Sequence, residues 1–93
     1  MANHAKASHS LVKTEEEAKA ILARIQNGES FEKIAQEKSL CPSRKKGGSL
    51  GEFGRGQMVK EFEQAVFNAK KGQIVICKTQ FGWHVIRIED LWG

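Results

Sequence analysis

Apolar and polar residues alternate over residues 5–12, with Ala5, Ala7, His9 and Leu11 on one side and Lys6, Ser8, Ser10 and Val12 on the other. A period of two predicts a strand with one buried side, and it puts His9 on the less polar face. At Thr14 the period changes. Thr14 and Glu17 form a capping-box pair, and Ala18, Ile21, Leu22 and Ile25 follow at helical spacing until Gly28, which is placed to end the helix. Ser30 opens a second helix, buried through Phe31, Ile34 and Ala35, that runs to about Lys38. Phe62, Ala65, Val66 and Ala69 mark a third, ended near Gly72. Two strands finish the chain, over residues 73–78 and 83–91, joined at Thr79-Gln80-Phe81-Gly82 by a hairpin turn. In the last strand His84 shares a face with Ile86 and Ile88, opposite Val85, Arg87 and Glu89, so it points inward.

Between the second and third helices the chain changes character. Residues 39–56 hold the only proline, Pro42, and five of the nine glycines. A connection this long in a compact domain is functional or disordered, and the embedded Leu50 and Phe53, with Met58 just beyond, argue against disorder. Leu50 and Phe53 suit a short strand or an extended turn.

Length and composition narrow the class. Ninety-three residues make one domain, 1–93, with no repeat or linker and a modest core. The longest apolar runs are four residues, as in Ile74-Val75-Ile76-Cys77, so no membrane span is expected. The N-terminal residues lack the apolar stretch of a secretory signal, and two cysteines do not make a disulfide framework. A reducing, cytoplasmic compartment is the expectation. The net charge of +4 does not by itself indicate nucleic acid. Lys38, Arg44, Lys45 and Lys46 form a basic stretch without an intervening acid, read first as a solvated loop and second as a site for phosphate or an acidic peptide.

Two histidines on apolar strand faces carry the chemistry. One alone would be a core residue with one satisfied hydrogen bond; two on strands that can be neighbours can satisfy each other, with Thr79 and Ser8 as hydroxyl partners. His9, Cys41, Cys77 and His84 are ligand types that zinc accepts, but without Cys-x-x-Cys or His-x-x-x-His spacing, and no metal is expected. A Cys41–His nucleophilic pair is chemically allowed, yet no protease signature accompanies it. The glycine-rich stretch lacks both nucleotide-binding fingerprints.

Three segments together resemble the parvulin family of peptidyl-prolyl cis/trans isomerases: Ser8-His9-Ser10-Leu11-Val12-Lys13, the stretch from Ser39 through Gly47-Gly48-Ser49-Leu50-Gly51-Glu52-Phe53 to Glu63, and Thr79-Gln80-Phe81-Gly82-Trp83-His84-Val85-Ile86. They stand in family order and spacing, and the whole is similar to the small single-domain bacterial parvulins. The resemblance implies an α+β, parvulin-like (FKBP-like) fold: a four-stranded antiparallel sheet surrounded by three to four helices, with the terminal strands adjacent at its centre. It implies His9, Cys41 and His84 as the catalytic polar set. For substrate binding it implies Leu50, Met58 and Phe62 as the proline pocket, Thr79 as the hydroxyl of the histidine network, and Gln57 and Phe81 at the cleft border. Read without the family, Leu50, Met58 and Phe62 are ordinary core.

The function so implied is acceleration of X–Pro rotation in unfolded or flexible segments, without cofactor, metal or covalent step. Phosphate-directed parvulins carry a longer basic loop after the first strand; here Lys13 runs straight into Thr14-Glu15-Glu16-Glu17, so no phosphate requirement is expected. The expected partners are proline-containing polypeptides with an apolar residue before proline, met by a monomer, with no membrane partner. The competing reading is a proline-peptide-binding chaperone module with little turnover. A nucleic-acid-binding domain is weaker, because the basic stretch lacks interleaved exposed aromatics. Ser10, Lys60 and Trp83 depart from the family pattern, and Trp83 bears on the neighbouring cleft.

Overall fold

The computed structural model describes residues 2–93. In chain order these form β1 (His4–Val12), α1 (Glu15–Gln26), α2 (Phe31–Lys38), a 3-10 turn (Pro42–Lys46), β2 (Ser49–Gly54), α3 (Lys60–Phe67), β3 (Ile74–Thr79) and β4 (Gly82–Trp92). One four-stranded sheet runs in the order β2-β1-β4-β3, every pairing antiparallel. The terminal strands are its central pair, as expected. Among the described residues no helix is long and apolar enough to cross a membrane.

The helices start where the caps say. Thr14 Oγ1 accepts the Glu17 N–H at 3.2 Å, and three glutamates occupy the first turn of α1, where the helix dipole favours negative charge. Ser30 Oγ does the same for the Lys33 N–H at 3.3 Å. Helix α3 ends at Phe67, short of the expected stop near Gly72. Asn68 caps it by returning its N–H to Gln64 O, yet Ala69, three residues past Val66, still packs on the same core. Helical spacing thus persisted through a turn that is no longer helix.

The expectation that β1 buries one side is corrected: both faces are covered. Val12 and Val85 meet Ala18, Ile21, Phe31, Ile34 and Ala35 beneath α1 and α2. On the reverse face Ala5, Ala7, Ile86 and Ile88 meet Phe53 and the α3 residues Phe62 and Val66. Ser8 and Ser10, which read as a polar exterior, are buried because serine is small enough to lie under a helix. The Ser8 hydroxyl is satisfied by donating to Glu89 Oε2 at 2.5 Å. Arg87 then ties α2 to the sheet, bonding Glu32 at 3.0 Å and lying 4.8 Å over the Phe31 ring.

Candidate active site

His9 on β1 and His84 on β4 sit on the α3 side of the sheet as diagonal neighbours, since Ile86 is the residue opposite His9 and Leu11 the one opposite His84. Their rings stack at 5.1 Å between centroids, 15° from parallel, with Nδ1 to Nδ1 at 2.9 Å. His84 Nε2 lies 2.7 Å from Thr79 Oγ1, which also accepts the Phe81 N–H at 3.2 Å. The Phe62 ring closes the other side, edge-on to both imidazoles at 5.7 and 5.3 Å. An Nδ1–Nδ1 bond holds one proton, so the neutral pair runs in one of two directions along the chain Thr79–His84–His9. Two imidazolium ions would set two N–H groups against each other, and burial opposes even one. Burial pushes His9 down to about 4, aided by the charge of His84, and burial alone pushes His84 down to about 4.

Cys41 sits on a loop fastened to β1 at both ends. Ser39, almost wholly buried, accepts the Leu11 N–H at 3.0 Å and the Cys41 N–H at 3.3 Å on its hydroxyl, while the Leu40 N–H donates to Leu11 O at 2.8 Å. Pro42 begins the 3-10 turn, a position where its missing N–H costs nothing. The loop then returns at Gly48, whose carbonyl accepts the His9 N–H at 2.9 Å. Cys41 and His9 thereby come to line the same cleft.

These groups line a single cleft of about 490 Å³. His9, Cys41 and His84 supply its polar part, and Leu50, Met58 and Phe62 its apolar wall, with Gln57 and Phe81 on the border. Eight of the nine residues singled out in the sequence therefore meet there. Thr79 does not line the cleft; it is buried behind His84, so its place is in the histidine chain rather than against substrate. Leu11, Leu40, Pro42 and Val59 also line it and were missed. The signal for Leu11 was its shared face with His9; Leu40 and Pro42 flank Cys41 directly. Trp83 packs on the α1 and α2 side of the sheet, away from the cleft, so its departure from the family pattern leaves the cleft untouched. Cys41 and Cys77 are both free, and burial followed by the charge of Glu61 pushes the Cys77 thiol up to about 11. Among the described residues no three metal-ligating side chains converge.

The model of the PPIC-type PPIase domain matches residues 1–91. The chain belongs to that family. It is 47% identical over 87 residues to the foldase protein PrsA of Geobacillus kaustophilus, covering 91% of this chain and 31% of that one. The chain thus spans about a third of the length of the curated relatives it matches. Among solved structures, PrsA from Bacillus anthracis superposes with a TM-score of 0.95 at 39% identity, over 99% of this chain and 43% of that one. NmPin, the parvulin of Nitrosopumilus maritimus, superposes with a TM-score of 0.84 at 41% identity, over 100% of this chain and 99% of its own. The α+β parvulin architecture expected from the sequence is therefore the one found.

The depressed histidines make the stability of this PPIase domain acid-sensitive, with a definite sign. Unfolded imidazoles take up protons near 6.5, whereas the folded pair resists until about 4. Stability is therefore full above pH ~6.5 and falls as pH drops from there through about 4, because the unfolded state binds more protons in that window. A loss of about 3 kcal/mol per histidine, on the order of 6 kcal/mol for the pair, is expected between pH 7 and pH 4 in urea titrations. The imidazole C–H signals of His9 and His84 should still report neutral rings at pH ~5.5; titration of either near 6.5 would contradict the assignment.

Proposed function

We propose that this domain accelerates rotation about X–Pro peptide bonds in unfolded or flexible polypeptide segments, by a non-covalent route that assists folding. The observation that carries the reading is one cleft in which an apolar wall of Leu50, Met58 and Phe62 stands over a neutral histidine pair with a thiol beside it. Amide rotation faces a barrier of about 18–20 kcal/mol because it breaks resonance, and the two X–Pro forms differ by only about 0.5–1 kcal/mol yet exchange over tens to hundreds of seconds. A thousandfold acceleration needs about 4 kcal/mol of stabilisation specific to the twisted state.

Three features of the cleft favour that state. The apolar wall grips the pyrrolidine ring, so the preceding residue turns against a fixed partner. Water is withdrawn from a carbonyl that is more negative when planar than when twisted, and an environment of neutral imidazoles and thiol replaces it. Gln57 has its Oε1 occupied by the Gly54 N–H at 2.9 Å, which leaves its amide NH₂ to donate at the border. Leu40 and Phe81, 55% and 61% exposed at the rim, favour an apolar residue before proline. Glutamates 15–17 at the start of α1 disfavour a phosphate requirement. Two unpaired cysteines support a reducing, cytoplasmic compartment.

The test is the cis/trans exchange rate of a Phe-Pro peptide by NMR. Exchange is expected to quicken with the domain at substoichiometric concentration. Cys41→Asp is expected to keep measurable exchange, because a polar side chain rather than a nucleophile is required there. Binding without faster exchange would favour the peptide-binding chaperone reading, and a folded Cys41→Asp variant without activity would favour covalent chemistry.

A further inference from the structure

Among the described residues, no lysine, arginine, aspartate or glutamate lines the cleft. Any charge preference must therefore arise at its rim. One wall consists of Leu40, Cys41 and Pro42, and the chain continues from it directly into Arg44, Lys45 and Lys46 of the 3-10 turn. Such a turn repeats every three residues at ~2 Å rise, so Lys45 stands over Pro42 and Arg44 over Cys41, about 6 Å further along. All three are exposed, as is Lys38 at the end of α2. Among the described residues none of these four has an acidic partner within ion-pair distance. The acids of neighbouring α2 are engaged elsewhere, Glu32 with Arg87 at 3.0 Å and Glu37 with Arg24 at 3.3 Å.

Arg44, Lys45 and Lys46 thus leave three uncompensated cations beside one wall of an uncharged, apolar cleft, whereas Lys38 lines a separate pocket with Glu17 and Arg24. We infer that this rim selects polypeptide segments carrying a carboxylate side chain a few residues from the proline. The inference rests on the isomerase reading in taking the cleft as the seat of the proline ring. Exposed rim charges act on encounter and on affinity, in a salt-dependent way, and leave the rotation step to the cleft. The occupant is a carboxylate flank, beyond the apolar residue that the cleft itself favours.

The probes are two pairs of Phe-Pro peptides, one with Glu or Gln two residues before the Phe-Pro unit and the other with Glu or Gln two residues after it. NMR titration gives the dissociation constant and exchange spectroscopy the isomerisation rate in the same sample. At low salt the Glu member of at least one pair is expected to bind about 3–10-fold tighter than its Gln counterpart, and the gain should largely vanish at about 0.5 M salt. It should also vanish in the triple variant Arg44→Gln, Lys45→Gln, Lys46→Gln, with binding and exchange of the Gln peptides unchanged. The single variant Lys45→Glu, at the position over Pro42, should weaken the Glu preference on its own. Equal binding of Glu and Gln members in both pairs overturns the inference, as does a preference that survives the triple substitution. A Glu preference without accelerated exchange would overturn the isomerase reading and uphold the rim; accelerated exchange without a Glu preference would do the reverse.

Discussion

Gly48→Ala is expected to destabilise the domain by about 3–5 kcal/mol and, in whatever fraction folds, to lower kcat/KM at least tenfold. Gly48 has φ +88° and approaches β1 so closely that a Cβ would lie 2.3 Å from the His9 carbonyl oxygen and 3.2 Å from Ala35 Cβ. Backbone strain contributes about 1–2 kcal/mol of the loss. The larger part comes from the collision, because neither the carbonyl of a central strand nor a buried alanine on α2 can swing away. Relief requires the returning loop to retreat from β1, which breaks the bond from the His9 N–H to Gly48 O and shifts His9 against His84. Gly28→Ala separates the two causes. Gly28 has φ +96° but open space around it, so it should lose only the strain and keep full activity. Urea midpoints and X–Pro exchange rates for both variants measure the difference. If Gly48→Ala behaves like Gly28→Ala, close approach at His9 does not organise the site.

That contrast also explains what the sequence could disclose. Local signals translated directly: Thr14 and Ser30 cap the helices they were expected to cap, and the period-two pattern put His9 and His84 on the face they share. Their meeting needed one further step, adjacency of the terminal strands, which came from resemblance rather than periodicity. The 3-10 turn over Pro42–Lys46 was hidden, because its polar, basic composition is that of any loop and its geometry is fixed by tertiary bonds from Ser39 and Gly48 to β1. Burial of Ser8 and Ser10 was hidden for a related reason. A small polar residue reports its own hydrophilicity, whereas its exposure depends on which helix crosses above it. Leu40 and Val59 were invisible as cleft residues since an apolar side chain in a loop carries no sign of whether it faces a core or a ligand.

Phe62→Ala should be the most damaging change within the cleft, costing about 3–5 kcal/mol in stability and roughly 10–100-fold in kcat/KM. Phe62 is 3% exposed, packs on Phe53 at 6.2 Å, and sets its ring edge against both histidines while lining the cleft. For a chain of 93 residues with a stability of about 5–14 kcal/mol, the loss leaves a weakened domain that stays folded except at the lower end of that range. The two losses have separable origins. The stability loss reflects the void between α3 and the sheet, while the activity loss reflects a missing wall for the pyrrolidine ring and so should appear mainly in kcat/KM. A third consequence follows from desolvation, the first cause of both depressed histidine pKa values. Removing the ring admits water to the pair, so the pH at which His9 and His84 take up protons should climb from about 4 toward the ordinary 6.5. Phe62→Leu, which retains most of the volume, should keep the fold and much of the depression while giving up aromatic contact with the imidazoles. NMR titration of the imidazole C–H signals in the two variants decides the point. Histidines that stay neutral to pH ~4.5 in Phe62→Ala would mean that the strands themselves, and not the ring above them, keep the pair dry.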